Sequence, residues 1–197
     1  FYNVVRGCFA MLDITDRQYF QNLKRLWVYF RETGEIPPGV RPMIASSWMR
    51  SRDFHVNMTK PLRAPILSRP ELHSLQAANQ TLIDIAKPIM KKMHSLVGET
   101  KNLISLHNPD GYMLYSCGDE YYAEMETESS FSLGVCWQER YIGTNGITLA
   151  VLEDSPVQVY GAEHYCAAQH DGSSSATPIH DRDGKIIGVF SSSVIQV

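Results

Sequence analysis

Apolar residues recur every three or four positions through the first half of the chain and every second position through much of the second half. That change of period predicts helices first and a sheet afterwards. Phe20, Leu23, Trp27 and Phe30 fall on one stripe of a helix predicted over 13–33, which Gly34 and the Pro37-Pro38-Gly39 run bring to an end. A second short helix is predicted over 41–52. Residues 53–67, with Pro61 and Pro65, read as a connector. Ser68, Pro70 and Glu71 then have the residue types and spacing of a capping box with proline in the first turn, and the helix they open is predicted to run to Val97. Leu72, Leu75, Asn79, Leu82, Ala86, Ile89, Met93 and Leu96 form a heptad seam along it with one polar position, Asn79. Pro88 removes the bond to Asp84 and is expected to kink this helix.

Strand-forming residues follow in pairs. Asn102–His107 and Tyr112–Cys117 flank the turn Asn108-Pro109-Asp110-Gly111; Ser175–His180 and Lys185–Val194 flank the turn Asp181-Arg182-Asp183-Gly184. Residues 156–161 read as a further strand, 118–130 as an acidic loop, and 145–152 as a helix. Two hairpins separated by helices imply an α+β fold with a central antiparallel sheet flanked by helices. Residues 1–67 read as a helical extension and connector, and 68–197 as the sheet-containing domain.

Charge modifies the picture locally. The net charge is −3 over 197 residues, which offers no general attraction to nucleic acid. Residues 41–70 nevertheless carry six Lys or Arg against one Asp, while 110–139 carry seven Asp or Glu and no Lys or Arg. The plain interpretation is two solvated surfaces; the sharper one is that the segments meet, within a chain or across a dimer. No apolar run approaches the roughly 20 residues of a membrane helix. The four cysteines (Cys8, Cys117, Cys136, Cys166) lack paired spacing, as expected for a reducing, cytoplasmic setting. The absence of an initial methionine and the strand-like ending suggest a piece of a longer protein.

Candidate chemistry is sparse. The sequence contains no Gly-rich phosphate loop, Gly-x-Ser-x-Gly elbow or His-Glu-x-x-His pair. His164, Cys166 and His170 form a dense set of soft ligands, for which a packed cysteine between surface histidines is the simpler explanation. Cys136 and Cys166 have no adjacent activating base. Neither an enzyme nor a resident cofactor or metal is expected. Glu163 and His164, at the end of a strand and facing a helix that starts near Thr144 and Asn145, can close a pocket; Thr144 and Asn145 are equally the residues that cap such a helix.

An ordered set of motifs resembles the GAF-type N-terminal sensor region of bacterial enhancer-binding transcription activators, the group of acetoin- and dihydroxyacetone-responsive regulators. The set runs from Arg41-Pro42-Met43-Ile44 through Ser47-Trp48, Arg50, Asn79, Leu82, Ala86 and Pro88 to Asp110-Gly111. It continues with Trp137, Glu139, Gly143-Thr144-Asn145, Gly161-Ala162-Glu163-His164, Pro178-Ile179 and Gly188. The resemblance implies a GAF-like α+β sandwich over 68–197 that senses a small-molecule effector, with Tyr115, Phe131, Trp137, Glu139, Thr144, Asn145, Tyr160, Glu163 and His164 around the ligand. It implies a downstream ATPase and DNA-binding module outside this sequence. The helix seam adds the expectation of a homodimer through its Leu72–Ala86 half, with the half after Pro88 on the sheet. Two readings of other classes are a thiol-dependent reductase using Cys136 or Cys117 with Cys166, and a metal or redox sensor using Cys166 and the nearby histidines. The sequence departs from the family pattern at Gly146 and Thr148, where alanine and glycine are usual, and at Ser173–Ser175, where a cysteine often stands.

Overall fold

The computed structural model describes residues 17–60, 64–97, 102–118 and 132–195. Helices α1 (Arg17–Thr33), α2 (Pro42–Asp53), α3 (Arg69–Ala78) and α4 (Gln80–Val97) precede the hairpin β1 (Asn102–His107) and β2 (Met113–Gly118). Short helices α5 (Glu139–Ile142) and α6 (Gly146–Leu152) follow, then β3 (Val157–Tyr160), two 3-10 turns, β4 (Gly172–His180) and β5 (Ile186–Ile195). The five strands form one antiparallel sheet in the order β2-β1-β5-β4-β3. The fold is α+β, as its hydrophobic periods imply. Phe131, most of the acidic loop and the first residues of the predicted helix over 13–33 lie outside the described residues.

Helices cover both faces of the sheet, which is why every residue of β1 is buried. On one face Ile104, Leu106 and Leu114 pack against Ile83, Ala86 and Met90 of α4. On the other, Met113, Val159, Ala176 and Val189 join Trp137, Ile142, Ile147 and Leu149. This second core also takes in Leu23, Trp27 and Phe30 of α1 with Ile44 and Trp48 of α2, so it is continuous across the boundary drawn at residue 67. Phe30 stacks on Trp48 at 5.1 Å between ring centres. The indole N–H groups of Trp27 and Trp48 donate to the carbonyls of Tyr165 (2.9 Å) and Glu163 (2.8 Å), so both bury area without stranding a donor.

The helix predicted from Ser68 to Val97 is two helices. The capping box at Ser68 and Glu71 forms as expected, but the first helix ends at Asn79, whose backbone leaves the helical region (φ −112°, ψ 16°). Its side-chain amide donates to the Leu75 carbonyl at 2.8 Å, the local competition for backbone acceptors in which Asn side chains engage. Asn79 is a helix stop, and α4 runs on through Pro88. The break also changes which positions face the sheet. Ile83, Ala86 and Met90 are buried, whereas Ile89, Met93 and Leu96, expected in the seam, are exposed together with Ile85. Both halves of the predicted helix touch the sheet: Leu75 and Leu82 pack on the sheet-facing cluster before Pro88 and Met90 after it, while the exposed aliphatic residues gather around and beyond Pro88.

Trp48 anchors α2 in the shared core, being 1% exposed. Trp48→Ala is expected to lower the unfolding free energy by roughly 3–5 kcal/mol in urea titrations, the usual cost of truncating a buried aromatic. A loss below about 1 kcal/mol would show that the helical segment adds little to the core.

Candidate functional site

Two buried carboxylates organise the region. Glu139 opens α5 and is 3% exposed; Glu163 sits in the 3-10 turn after β3 and is 2% exposed. Each is gripped by an arginine from the helical segment. The Arg50 Nε and Nη2 donate to Glu139 Oε2 (2.6 Å) and Oε1 (3.1 Å), and Ser47 Oγ bridges Glu139 to Thr144 Oγ1. Arg41 Nε and Nη2 donate to the two oxygens of Glu163 at 2.7 and 2.6 Å, and Nη2 also reaches the Gln158 carbonyl at 2.6 Å. Glu163 accepts the Tyr160 backbone N–H as well, at 2.9 Å. Burial works against the charge on Arg41, but hydrogen bonding to Glu163 and the charge of Glu163 outweigh it and raise its pKa. The basic and acidic stretches of the sequence thus meet within one chain at Arg50 and Glu139.

Asn145 behaves as a helix cap. Its Oδ1 accepts the Thr148 N–H at 3.0 Å, while its Nδ2 donates to the carbonyls of Trp137 (3.0 Å) and Gly143 (2.9 Å). The cap therefore ties the start of α6 to Trp137. The segment around Trp137 is fixed in turn by the β1–β2 turn, where Trp137 N–H donates to the Gly111 carbonyl at 2.8 Å. Gly111 has φ +82°, and an added Cβ would lie 3.2 Å from the Gln138 nitrogen, so the close approach requires glycine. At Gly146 the backbone is ordinary, but an added Cβ would sit tightly, 3.1 Å from Ser174 Oγ and 3.3 Å from Ala176 Cβ. Two of the departures from the family pattern, Gly146 and Ser174, therefore lie against each other.

Beneath these elements the inner face of the sheet carries small uncharged polar groups. Ser105 and Ser191 are cross-strand partners, and Ser191 Oγ is buried with no hydrogen-bond partner among the described residues. Ser105 Oγ lies 2.9 Å from His107 Nε2, and the His107 ring stands edge-on to Trp137 at 6.4 Å. His164 Nδ1 meets the Gly161 carbonyl at 2.9 Å and its Nε2 approaches Ser174 Oγ at 3.4 Å. Burial pulls both His107 and His164 down to about 4, so both imidazoles are neutral at pH 7.

Of the residues expected around a ligand, Trp137, Thr144, Asn145, Glu163 and His164 come together on this side of the sheet, with Glu139 and Tyr160 beside them. Tyr115 does not join them. It packs with the α4 layer on the opposite face, under the Lys87 ammonium at 5.4 Å, because the irregular register between β1 and β2 pairs it with Leu106. The sequence reading missed Arg41, Arg50, Ser47, Ser105, His107 and Ser191; the basic stretch was the available signal for the first two. His164, Cys166 and His170 do not converge: His170 Nε2 lies 3.2 Å from the His164 carbonyl and Cys166 Sγ 3.2 Å from the Lys60 carbonyl. Among the described residues no group of three His, Cys, Asp or Glu is placed to hold a metal ion. The thiols of Cys117, Cys136 and Cys166 are all raised by burial, which disfavours the thiolate.

Arg50→Ala is expected to destabilise the chain by about 2–3 kcal/mol, below the figure for a fully enclosed pair because the guanidinium is partly exposed. Adding Glu139→Gln should recover part of that loss in the same denaturation assay; identical curves for wild type and Arg50→Ala would contradict the geometry. For the histidines, folded values near 4 lie below the ordinary 6.5, so the unfolded chain binds more protons between them. Stability should be full above pH 6.5 and fall as pH drops toward 4, by roughly 1 kcal/mol per pH unit for each residue. His107→Gln should lessen the slope of urea midpoint against pH.

Comparison with known proteins agrees with this architecture. The activator AcoR of the acetoin dehydrogenase operon in Bacillus subtilis is 31% identical over 83% of this chain. MimR, the propane 2-monooxygenase operon activator of Mycolicibacterium smegmatis, is 25% identical over 82%. In each case the match spans 27% of the relative's own length. The crystal structure of the E. coli DhaR(N)–DhaL complex contains the same fold, with a TM-score of 0.72 at 17% identity over 79% of this chain and 52% of that one. A family model described as the MimR N-terminal domain matches residues 21–194, and the chain belongs to that family.

Proposed function

We propose that this chain is the small-molecule-sensing region of a transcriptional activator, and that the effector binds over the inner sheet face among Trp137, Thr144, Asn145, His164 and the serines of β1, β4 and β5. The observation that carries the reading is the Ser191 hydroxyl, buried without a hydrogen-bond partner among the described residues, on a face where neutral imidazoles and hydroxyls sit among apolar side chains. A buried polar group left unsatisfied is costly, and a ligand oxygen would satisfy it. The chemistry suits a small, partly apolar, uncharged molecule with one or two hydrogen-bonding oxygens. Trp137 is tied by backbone bonds to the Gly111 turn and to Asn145, so displacement there would reach α5, Glu139 and thence α2. The relatives are named as transcriptional activators and are several times longer than the matched region; in this reading effector occupancy controls an ATPase and DNA-binding module outside this sequence.

Native mass spectrometry of the purified chain is expected to reveal a retained neutral small molecule, lost in Ser191→Val and in His107→Leu. Retention of the same molecule by both variants would move the site elsewhere.

The signal also needs an output surface. Ile85, Ile89, Met93 and Leu96 stand exposed at spacings of four, four and three on α4, a stripe that pairs with a second copy of itself in the proposed homodimer. Light scattering should give a dimer for the wild type and a folded monomer for Ile89→Glu with Met93→Glu. A monomeric wild type at high concentration would remove the dimer.

A further inference from the structure

A groove of about 250 Å³ opens on the outside of the domain, where the end of α2, the β1–β2 turn, the start of α5 and the flank of α6 meet. One wall is apolar: Ile147, Val151 and Leu152 of α6, with Phe54 after the end of α2 contributing an aromatic ring. The polar lining comes from Gln138, Arg140 and Asp110 beside the Arg50–Glu139 pair. The volume corresponds to roughly eight waters, enough for a ligand of about ten non-hydrogen atoms.

The charges decide what such a ligand carries. Glu139 is already neutralised, with both oxygens engaged by Arg50 and Ser47. Asp110 accepts a hydrogen bond from Asn108 Nδ2 at 3.3 Å. Arg140 is different. Its guanidinium rests 5.8 Å over the Phe54 ring and makes no ion pair among the described residues. An aromatic face holds a guanidinium in place while leaving its in-plane N–H donors available, the arrangement a carboxylate accepts from both oxygens. Apolar surface lies alongside. We propose that this groove is a second ligand site, separate from the inner sheet face, that takes a small monocarboxylate with an aromatic or branched aliphatic body. The carboxylate pairs with Arg140 and the body lies against Val151, Leu152 and Phe54. Because Arg50 and Glu139 form part of the lining, an occupant lies beside the link between α2 and α5.

Benzoate is a suitable probe, with benzyl alcohol and benzylamine as uncharged and cationic counterparts of similar size. Titration of the whole chain, followed by amide chemical shifts, should show saturable benzoate binding centred on Gln138–Arg140 and Val151–Leu152. Arg140→Gln, an exposed substitution expected to leave the melting temperature unchanged, should weaken binding about tenfold or more, the scale of one charge-assisted contact. Leu152→Asp should weaken it independently through the apolar wall. Ser191→Val should leave benzoate binding intact, which separates this site from the interior one. No saturation up to about 10 mM, a regime of negligible affinity, would overturn the proposal. So would equal binding by wild type and Arg140→Gln, or a preference for benzylamine.

Discussion

Two carboxylates removed from water, Glu139 and Glu163, constrain everything around them. A buried carboxylate is tolerable when charge and hydrogen bonds compensate its lost hydration, and removing the compensation costs several kcal/mol. Here Arg50, Ser47 and Arg41, all on or next to α2, supply the compensation. Detaching the helical segment from the sheet would therefore strip both carboxylates of their arginines. Trp48 reinforces the arrangement, since its indole N–H binds the Glu163 carbonyl while its ring fills the core beneath Phe30. Residues from both sides of position 67 share this core.

Much of the fold was legible in the chain. Alternation and the Asn108–Gly111 and Asp181–Gly184 turns placed the first hairpin and the last strand to within a residue, and the capping residues at Ser68 and Asn145 marked helix starts that form as read. β4 begins earlier, at Gly172, because Ser173–Ser175 take their pairing from Tyr160–Gln158 and from β5. Serine is a weak strand former, so that pairing is a tertiary gift invisible to local pattern. The long helix failed at Asn79 for the opposite reason: apolar period continued through a residue whose side chain bonds the backbone and stops the turn. Once the helix restarts, positions 83, 86 and 90 satisfy the same spacing as 82, 86 and 89, and packing chooses between them.

The positions of the candidate residues were legible in part. Glu139, Glu163 and His164 lie on one side of the sheet, but nothing in their spacing showed that the two glutamates would be occupied by arginines. That depends on contacts more than 80 positions apart in the chain. Tyr115 shows the reverse case, where alternation is right and a register irregularity decides the face. Gly146 and Ser174 looked like independent departures from the family pattern and are a packed pair. An alanine at 146 would press on Ser174, so the two positions shape the interior together. Neutral groups line that interior and guanidinium chemistry lines the outer groove, with the Arg50–Glu139 pair between them.

The central claim is that the helical segment and the sheet form one cooperative unit through these two ion pairs. Native-state hydrogen exchange tests it directly, because subglobal opening reveals itself as amides exchanging at a free energy below that of global unfolding. The amides of α2 around Trp48 should exchange with the same free energy as those of β5. Arg41→Ala with Arg50→Ala should separate the two sets, lowering α2 first. If α2 in the wild type exchanges several kcal/mol more easily than β5, the helices are an appendage and the account is wrong.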